Sequence, residues 1–132
     1  MATGRSILIV DDDPLLRLIA SEMLRGAGYD VAEAEDGDVA IRHLEQHAVD
    51  LAVLDLLMPN KEGVETIKEI KQRWPQVRIV AISSGGRLDA NYLLPLAKAM
   101  GADAVYKKPL TAEPFLQMVE SALQQPPVAR SA

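Results

Sequence analysis

A short apolar run that ends in one carboxylate is the feature that most constrains the fold of this chain. The residues Leu51-Ala52-Val53-Leu54 are continuously apolar and lead directly into Asp55. A run without polar alternation is typical of a strand that is buried on both faces of a parallel sheet. Ligands of open α/β sheets bind outside the carboxyl ends of the strands, so Asp55 is predicted to lie in a binding crevice.

A second apolar run ends in the same way. Ile7-Leu8-Ile9-Val10 opens onto the acidic triplet Asp11-Asp12-Asp13, which Pro14 follows. If the two strands are neighbours, three or four carboxylates share one crevice and raise each other's pKa unless a cation lies between them. Their oxygens predict a hard divalent ion, most simply Mg²⁺. The alternative is that the triplet only caps a helix, with proline at its first position. Two acidic strand ends favour the binding site.

Composition limits the class of protein. The chain has 132 residues, 48% of them hydrophobic and 25% charged, which is ordinary for one soluble domain. A net charge of −5 argues against a primary role in binding nucleic acid. The absence of cysteine excludes disulfides and fits a reducing cytosol. No signal peptide or membrane span is recognisable, so we expect a cytoplasmic protein without membrane insertion.

Apolar periodicity predicts five strands that alternate with five helices. The strands are expected at Ser6–Asp11, Tyr29–Ala34, Leu51–Asp55, Val77–Ile82 and Ala104–Tyr106, and the helices at Pro14–Ala27, Asp38–His47, Val64–Trp74, Asp89–Met100 and Ala112–Gln124. Asp38 and Thr111 are predicted helix caps, and Pro95 predicts a break in the fourth helix. The pattern indicates a doubly wound α/β domain over residues 1–124 and a disordered tail over 125–132.

Five short motifs occur in order between about residues 6 and 124. They are Ile-Leu-Ile-Val-Asp-Asp-Asp-Pro at 7–14, Leu-Asp-Leu-Leu-Met-Pro at 54–59 with Gly63, Ala-Ile-Ser-Ser at 81–84, Gly-Ala-Asp-Ala at 101–104 and Lys-Pro at 108–109. The ordered set resembles the receiver domains of two-component response regulators, in particular stand-alone, chemotaxis-regulator-like ones. The resemblance implies a flavodoxin-like fold with a parallel sheet in the order 2-1-3-4-5.

The resemblance also implies a function. Asp55 resembles the aspartate that accepts a phosphoryl group from a histidine kinase or a histidine phosphotransfer protein in a Mg²⁺-dependent step. The phosphorylated domain would then switch its binding to a downstream protein partner or relay the phosphate. It would not be an enzyme beyond slow self-dephosphorylation, and it would not contact nucleic acid directly.

The other site residues follow from the same resemblance. Asp11 and Asp12 resemble the acidic pair that binds Mg²⁺ together with the phosphoacceptor and the backbone carbonyl of Leu57. Ser83 resembles the hydroxyl residue that donates a hydrogen bond to the phosphoryl group, and Lys108 resembles the lysine that pairs with it. In physical terms, phosphoryl transfer needs an in-line nucleophile and positive charge around the equatorial oxygens, which this set supplies.

One position departs from the family pattern. Many receivers carry an aromatic residue three positions before the lysine, where this chain has Val105, and Tyr106 is displaced by one. Side chains alternate across a strand, so Tyr106 is predicted to face away from the usual switching position. The switch is therefore expected in the loop from Ser83 to Asp89 and in the start of the fourth helix.

Two other functions compete with this interpretation. A small haloacid-dehalogenase-like phosphatase would use Asp11 as nucleophile and Asp13 as acid/base, although the chain leaves little room for a cap domain. A pseudo-receiver would bind partners without phosphorylation, but it normally lacks one of the site residues. A dinucleotide-binding fold is disfavoured because the acidic triplet stands where its glycines would be.

Overall fold

Five strands and five helices alternate along the described part of the chain, as the periodicity predicts. A computed structural model describes residues 4–56, 63–83 and 94–126, with the side chain of residue 94 excepted. Within these ranges the elements are β1 (Ser6–Val10), α1 (Pro14–Gly26), β2 (Asp30–Ala34), α2 (Gly37–Gln46), β3 (Leu51–Asp55), α3 (Gly63–Arg73), β4 (Arg78–Ser83), α4 (Leu94–Met100), β5 (Ala104–Lys107) and α5 (Ala112–Gln124).

The five strands form one parallel sheet in the order β2-β1-β3-β4-β5. This topology confirms the predicted doubly wound fold. The order reverses between β1 and β3, so the carboxyl ends of these two strands flank the switch point at which α/β sheets bind ligands. Both acidic strand ends lie at this point.

Each face of the sheet has its own apolar core. Leu8, Val10 and Leu54 face one side, where α2, α3 and α4 pack. Their neighbours Ile9 and Val53 face the other side, where α1 and α5 pack. Because both faces are covered, β3 is apolar at every position before Asp55, and all five of its residues are buried.

The structure corrects one of the two predicted helix caps and retains the position of the other. The N-cap of α2 is Asp36, whose carboxylate accepts from the N–H of Val39 at 2.9 Å, and Asp38 lies in the first turn instead. Both aspartates can cap, but the turn that leaves β2 brings the earlier one to the helix start. Thr111 does hold the N-cap position of α5, yet its side chain makes no capping bond. Its hydroxyl lies 3.3 Å from that of Tyr106.

Several element boundaries also differ from the predicted ones. β1 ends at Val10, so Asp11 follows the strand, and β4 extends to Ser83. Of the helix predicted from Asp89 to Met100, the structure describes the part from Leu94 to Met100, which is α4. Residues 89–93 and the tail from residue 127 lie outside the described residues. Within the described ranges, no helix has the length and apolar character needed to cross a membrane.

Gly63 lets α3 begin directly against the end of β3. A Cβ at this position would lie 2.5 Å from both the carbonyl oxygen of Asp55 and the Cα of Leu56. The N–H of Gly63 donates to the carbonyl of Leu56 at 3.1 Å, which fixes this close approach. Only glycine fits here, so the sequence itself holds α3 against the strand end that carries Asp55.

Candidate functional site

The acidic residues converge at the carboxyl edge of the sheet. Asp11 follows β1 and Asp55 is the last residue of β3, which lies beside β1. Asp11, Asp12 and Asp55 each offer one carboxylate oxygen, and these oxygens all lie within 4.8 Å of one another. Asp11 and Asp55 are buried, whereas Asp12 is exposed. The structure thus brings together the three carboxylates predicted to share a crevice.

Asp11 is the most enclosed member of the cluster. Its side chain is 0% exposed, and its Oδ1 accepts from the N–H of Asp13 at 2.9 Å. Its buried Oδ2 has no hydrogen-bond partner among the described residues. Burial raises the pKa of Asp11 to about 6; the charges of Asp55 and Asp12 add to this shift, while the Asp13 N–H and Lys108 oppose it.

Lys108 supplies positive charge to the cluster. Its Nζ lies 3.4 Å from Oδ2 of Asp55 and 3.5 Å from Oδ2 of Asp11, so it makes an ionic contact with each carboxylate. Its backbone N–H donates to the carbonyl of Ser83 at 2.8 Å, which ties the lysine to the end of β4. Burial lowers the pKa of Lys108, but Asp55 and Asp11 outweigh this effect, and the net pKa is raised. The ammonium group is therefore charged at neutral pH.

The remaining predicted residues divide into described and undescribed ones. Ser83 is the last residue of β4 and is buried beside the register position of Lys107 on β5. Leu57, whose carbonyl is predicted to bind the metal, lies outside the described residues. Most of the predicted switch loop, residues 84–89, also lies outside them.

The cluster fits a hard divalent cation. Three carboxylates face a single ammonium group, and one buried carboxylate oxygen has no hydrogen bond within the described part of the chain. Mg²⁺ binds through a few carboxylates and keeps several waters, so a site that is open on the Asp12 side suits it. Asp11, Asp12 and Asp55 would hold the ion, and the cation would offset their mutual repulsion.

Asp11→Asn is expected to stabilise the metal-free protein at pH 7 by about 1–2 kcal/mol. The pKa of Asp11 is about 6 in the folded chain, whereas the unfolded chain releases the proton near the ordinary pKa of 3.8. Stability is therefore lost as the pH rises between these values, and asparagine removes that loss. Urea unfolding in EDTA at pH 4 and pH 7 measures it, with exposed Asp30→Asn as control. A variant no more stable than wild type at pH 7 contradicts the assignment.

Val105, which occupies the position of the usual aromatic residue, and its neighbour Tyr106 face opposite sides of the sheet, as predicted. Val105 packs with the core under α2, α3 and α4. Tyr106 packs on the other side, edge to face with Phe115 at a centroid distance of 5.9 Å and an angle of 74°. The ring of Tyr106 therefore faces away from the side on which α4 packs.

The sequence analysis did not predict the contacts of two basic residues, one arginine beside the site and one buried lysine. Arg17 on α1 donates to the backbone carbonyl of Asp11 at 2.6 Å. Lys71 is fully buried and pairs with Asp103 at 2.9 Å. The helical spacing of Ile67, Ile70 and Lys71 puts this lysine on the apolar face of α3, a signal that could have predicted its burial.

Known proteins share both the sequence and the fold. Residues 7–120 match the family described as the response regulator receiver domain. The chain is 35% identical over 118 residues to the chemotaxis protein CheY of Bacillus subtilis. This match covers 89% of this chain and 96% of that protein. A solved structure of the response regulator TrrA from Thermotoga maritima, in complex with Mg²⁺ and BeF, is 25% identical with a TM-score of 0.78, and the match covers 89% of this chain and 98% of that one.

Other relatives are longer than this chain. The match to the transcriptional regulatory protein PdtaR of Mycobacterium tuberculosis is 33% identical over 125 residues and covers 94% of this chain but 59% of that protein. The similarity therefore lies in one domain that occurs both in short regulators and in longer ones. With the family match spanning most of its length, this chain belongs to the response regulator receiver domain family.

Proposed function

We propose that the chain accepts a phosphoryl group on Asp55 in a Mg²⁺-dependent step and signals through the phosphorylated state. The observation that carries this proposal is the placement of Asp55. Its carboxylate ends β3, lies within 4.8 Å of the Asp11 and Asp12 oxygens, and has Lys108 Nζ 3.4 Å from its Oδ2. A nucleophilic carboxylate beside a cation site and an ammonium group meets the requirements of phosphoryl transfer.

Each residue has a defined part in the proposed step. An oxygen of Asp55 attacks the phosphorus of the donor, the new P–O bond forms, and the bond to the donor's leaving group breaks. Bound Mg²⁺ supplies charge neutralisation for the phosphoryl oxygens. Lys108 compensates the remaining negative charge from the other side, and the Ser83 hydroxyl donates a hydrogen bond to the product.

The contacts of the phosphorylated product are comparable in free energy to what a conformational switch requires. Aspartyl phosphate would add roughly −1.5 to −2 charge if it titrates like other phosphoresidues. Charge-assisted bonds to Ser83 and Lys108, at about 1.5–3 kcal/mol each, together supply about 3–6 kcal/mol. Shifting a two-state domain from 1:99 to 99:1 takes about 5.5 kcal/mol. Two contacts of this kind therefore reach the required free energy at the upper end of their range.

The proposed donor is a histidine kinase or a histidine phosphotransfer protein, which the family membership supports. The exposed Asp12 lies two residues before the start of α1, so a donor that approaches Asp55 from this side passes that helix. This helix carries three large exposed apolar residues, Leu15, Leu18 and Ile19, the first of them 62% exposed. An apolar face that starts beside the crevice offers the donor a contact surface. Such a donor acts in the cytoplasm, where we place this chain.

The phosphatase alternative receives less support from the same contacts. It needs Asp13 as a mobile acid/base, but the Asp13 carboxylate accepts from the N–H of Leu15 at 2.9 Å as the N-cap of α1. It also needs Asp11 as nucleophile, and the Asp11 side chain is more enclosed than that of Asp55, 0% exposed against 7%. A pseudo-receiver is not favoured either, because Asp11, Asp12, Asp55, Ser83 and Lys108 are all present.

Incubation with a small-molecule phosphodonor tests the proposal. Wild-type protein with Mg²⁺ is expected to gain the mass of one phosphoryl group, and protein in EDTA is expected to gain none on the same timescale. Intact mass measures both samples. Equal gain with and without the metal would contradict a Mg²⁺-dependent site, and no gain under either condition would contradict phosphoacceptance.

Tyr106→Phe is expected to leave the coupling between phosphorylation and partner binding intact. The ring of Tyr106 packs against Phe115 on the side of the sheet away from α4, and among the described residues its hydroxyl contacts that of Thr111 at 3.3 Å. The measurement is a partner's affinity for phosphorylated and unphosphorylated protein in both variants. A loss of more than about 1 kcal/mol of coupling, where 1–3 is typical, would make Tyr106 part of the switch.

A further inference from the structure

Arg17 connects three parts of the chain beside the acidic cluster. It lies in the first turns of α1, and its Nη1 donates to the backbone carbonyl of Asp11 at 2.6 Å. Its Nε contacts Oε1 of Glu33 on β2 at 3.2 Å. The guanidinium fork therefore holds the residue after β1 against the neighbouring strand.

The contact with the carbonyl controls a particular peptide bond. The carbonyl of Asp11 lies in the plane that joins Asp11 to Asp12, so a bond to its oxygen also fixes the direction of the Asp12 backbone. β1 ends at Val10, and among the described residues Arg17 is the group that bonds this carbonyl. The Asp11–Asp12 peptide group lies beyond the end of β1, and the side chain of Arg17 holds its carbonyl in place.

The other polar groups of Asp11 are fixed as well. Its N–H donates to the carbonyl of Ala34 at 3.1 Å, and its Oδ1 accepts from Asp13 at 2.9 Å. The remaining atom is Oδ2, which faces the crevice and lies 3.5 Å from Lys108 Nζ. Together these hydrogen bonds orient the side chain of Asp11 so that Oδ2 points into the crevice. They also fix the backbone position from which the Asp12 side chain extends.

We propose that Arg17 is a positioning residue for the cation site: by holding the Asp11–Asp12 peptide, it keeps the carboxylates of Asp11 and Asp12 aimed at one Mg²⁺. This inference rests on the proposed Mg²⁺ site. Outer contacts that orient metal ligands typically change metal affinity by about 10–100-fold when they are removed. Arg17 touches the ligand's backbone and not the metal, so it acts through Asp11.

The sign of the effect separates positioning from simple electrostatics. Arg17 carries a positive charge close to a cation site, and removing that charge alone would strengthen Mg²⁺ binding. Losing the bond that orders the ligands would weaken it. A residue with only a structural role would change stability and leave the Mg²⁺ affinity of the folded protein unchanged. The three roles therefore predict three different results.

The experiment compares Arg17→Met with Arg25→Met. Arg25 is a matched control because it lies on the same helix and its Nη2 also donates to a backbone carbonyl, that of Val31 on β2, at 3.3 Å. Mg²⁺ dissociation constants are measured by calorimetry on the full chain, and urea unfolding in EDTA confirms that each variant is folded. Arg17→Met is expected to raise the dissociation constant about tenfold. Arg25→Met is expected to stay within about twofold of wild type.

Glu33→Gln shows which of the two contacts of Arg17 affects the Mg²⁺ dissociation constant. It weakens the ion pair with Arg17 but keeps the bond to the Asp11 carbonyl, so its dissociation constant is expected to stay within about threefold of wild type. If Arg17→Met does not fold, Arg17→Lys replaces it, because lysine keeps the charge but not the fork that bonds Asp11 and Glu33 together; an increase above about threefold is then expected.

An Arg17 variant that binds Mg²⁺ as tightly as wild type, or more tightly, overturns the inference. A tenfold loss in Glu33→Gln without a loss in Arg17→Met overturns it as well. Wild-type protein that does not bind Mg²⁺ at all is a separate result, since that outcome contradicts the proposed function itself. The two failures are therefore distinguishable in one set of titrations.

Discussion

Lys71→Ala is expected to lower the free energy of unfolding by about 3–5 kcal/mol. The lysine is 0% exposed, its Nζ lies 2.9 Å from Oδ2 of Asp103, and it donates to the carbonyl of Val77 at 2.8 Å. The same Asp103 oxygen accepts from the N–H of Ile79 at 2.8 Å. Removing the lysine leaves the buried carboxylate of Asp103 without its cation and also creates a cavity. The loss is large because the total free energy of unfolding of a domain is only about 5–15 kcal/mol.

Urea unfolding with an unchanged m-value measures the loss. Arg73→Ala is the matched control on the same helix, since Arg73 pairs with Glu45 and Glu69 on the exposed surface. Exposed pairs of this kind contribute little, so the control is expected to be much closer to wild type. A Lys71→Ala variant that loses no more stability than the control would show that the buried pair does not stabilise the fold.

Lys108→Gln is expected to slow phosphorylation of the protein by about 100-fold or more, while Mg²⁺ binding becomes tighter. The ammonium group lies 3.4 Å from Asp55 and 3.5 Å from Asp11, where it can balance charge on the transferred group. Its removal takes away that charge and also a cation that competes with Mg²⁺ for the same carboxylates. A variant that was merely misfolded would lose both properties together.

Lys107→Gln is the control for this pair of measurements. Lys107 is the preceding residue, is exposed and ends β5. Rates come from intact mass against time with a small phosphodonor at saturating Mg²⁺, and affinities come from calorimetry. If Lys108→Gln is phosphorylated as fast as Lys107→Gln, the proposed role of the ammonium group in transfer is wrong.

Much of the fold could be predicted because its signals are local and redundant. The apolar runs of β1 and β3 need no partner to be recognised, and glycine at Gly28 and Gly101 marks where helices end, both with positive φ. The carboxyl edge of a parallel sheet then brings Asp11 and Asp55 together from topology alone. The crevice therefore follows from strand patterns and a single rule about α/β sheets.

The misses have a common physical origin. Asp36 and Asp38 are equally good caps by residue type, and only the geometry of the preceding turn selects the first. Arg17 and Lys71 act through backbone carbonyls and a distant carboxylate, and a backbone carbonyl carries no sequence signature. Long basic side chains read as surface residues unless the apolar face of their helix is followed residue by residue.

The most direct test of the account is the site of phosphorylation itself. Wild-type protein, Asp55→Asn and Asp13→Asn are incubated with a small phosphodonor and Mg²⁺, and the label is located by intact mass and peptide mapping. Asp13→Asn is the matched control because asparagine also caps helices and the residue is required only by the phosphatase alternative. We predict one phosphoryl group on Asp55 in wild type and Asp13→Asn, and none in Asp55→Asn. Full labelling of Asp55→Asn, or a label on Asp11, would contradict the account.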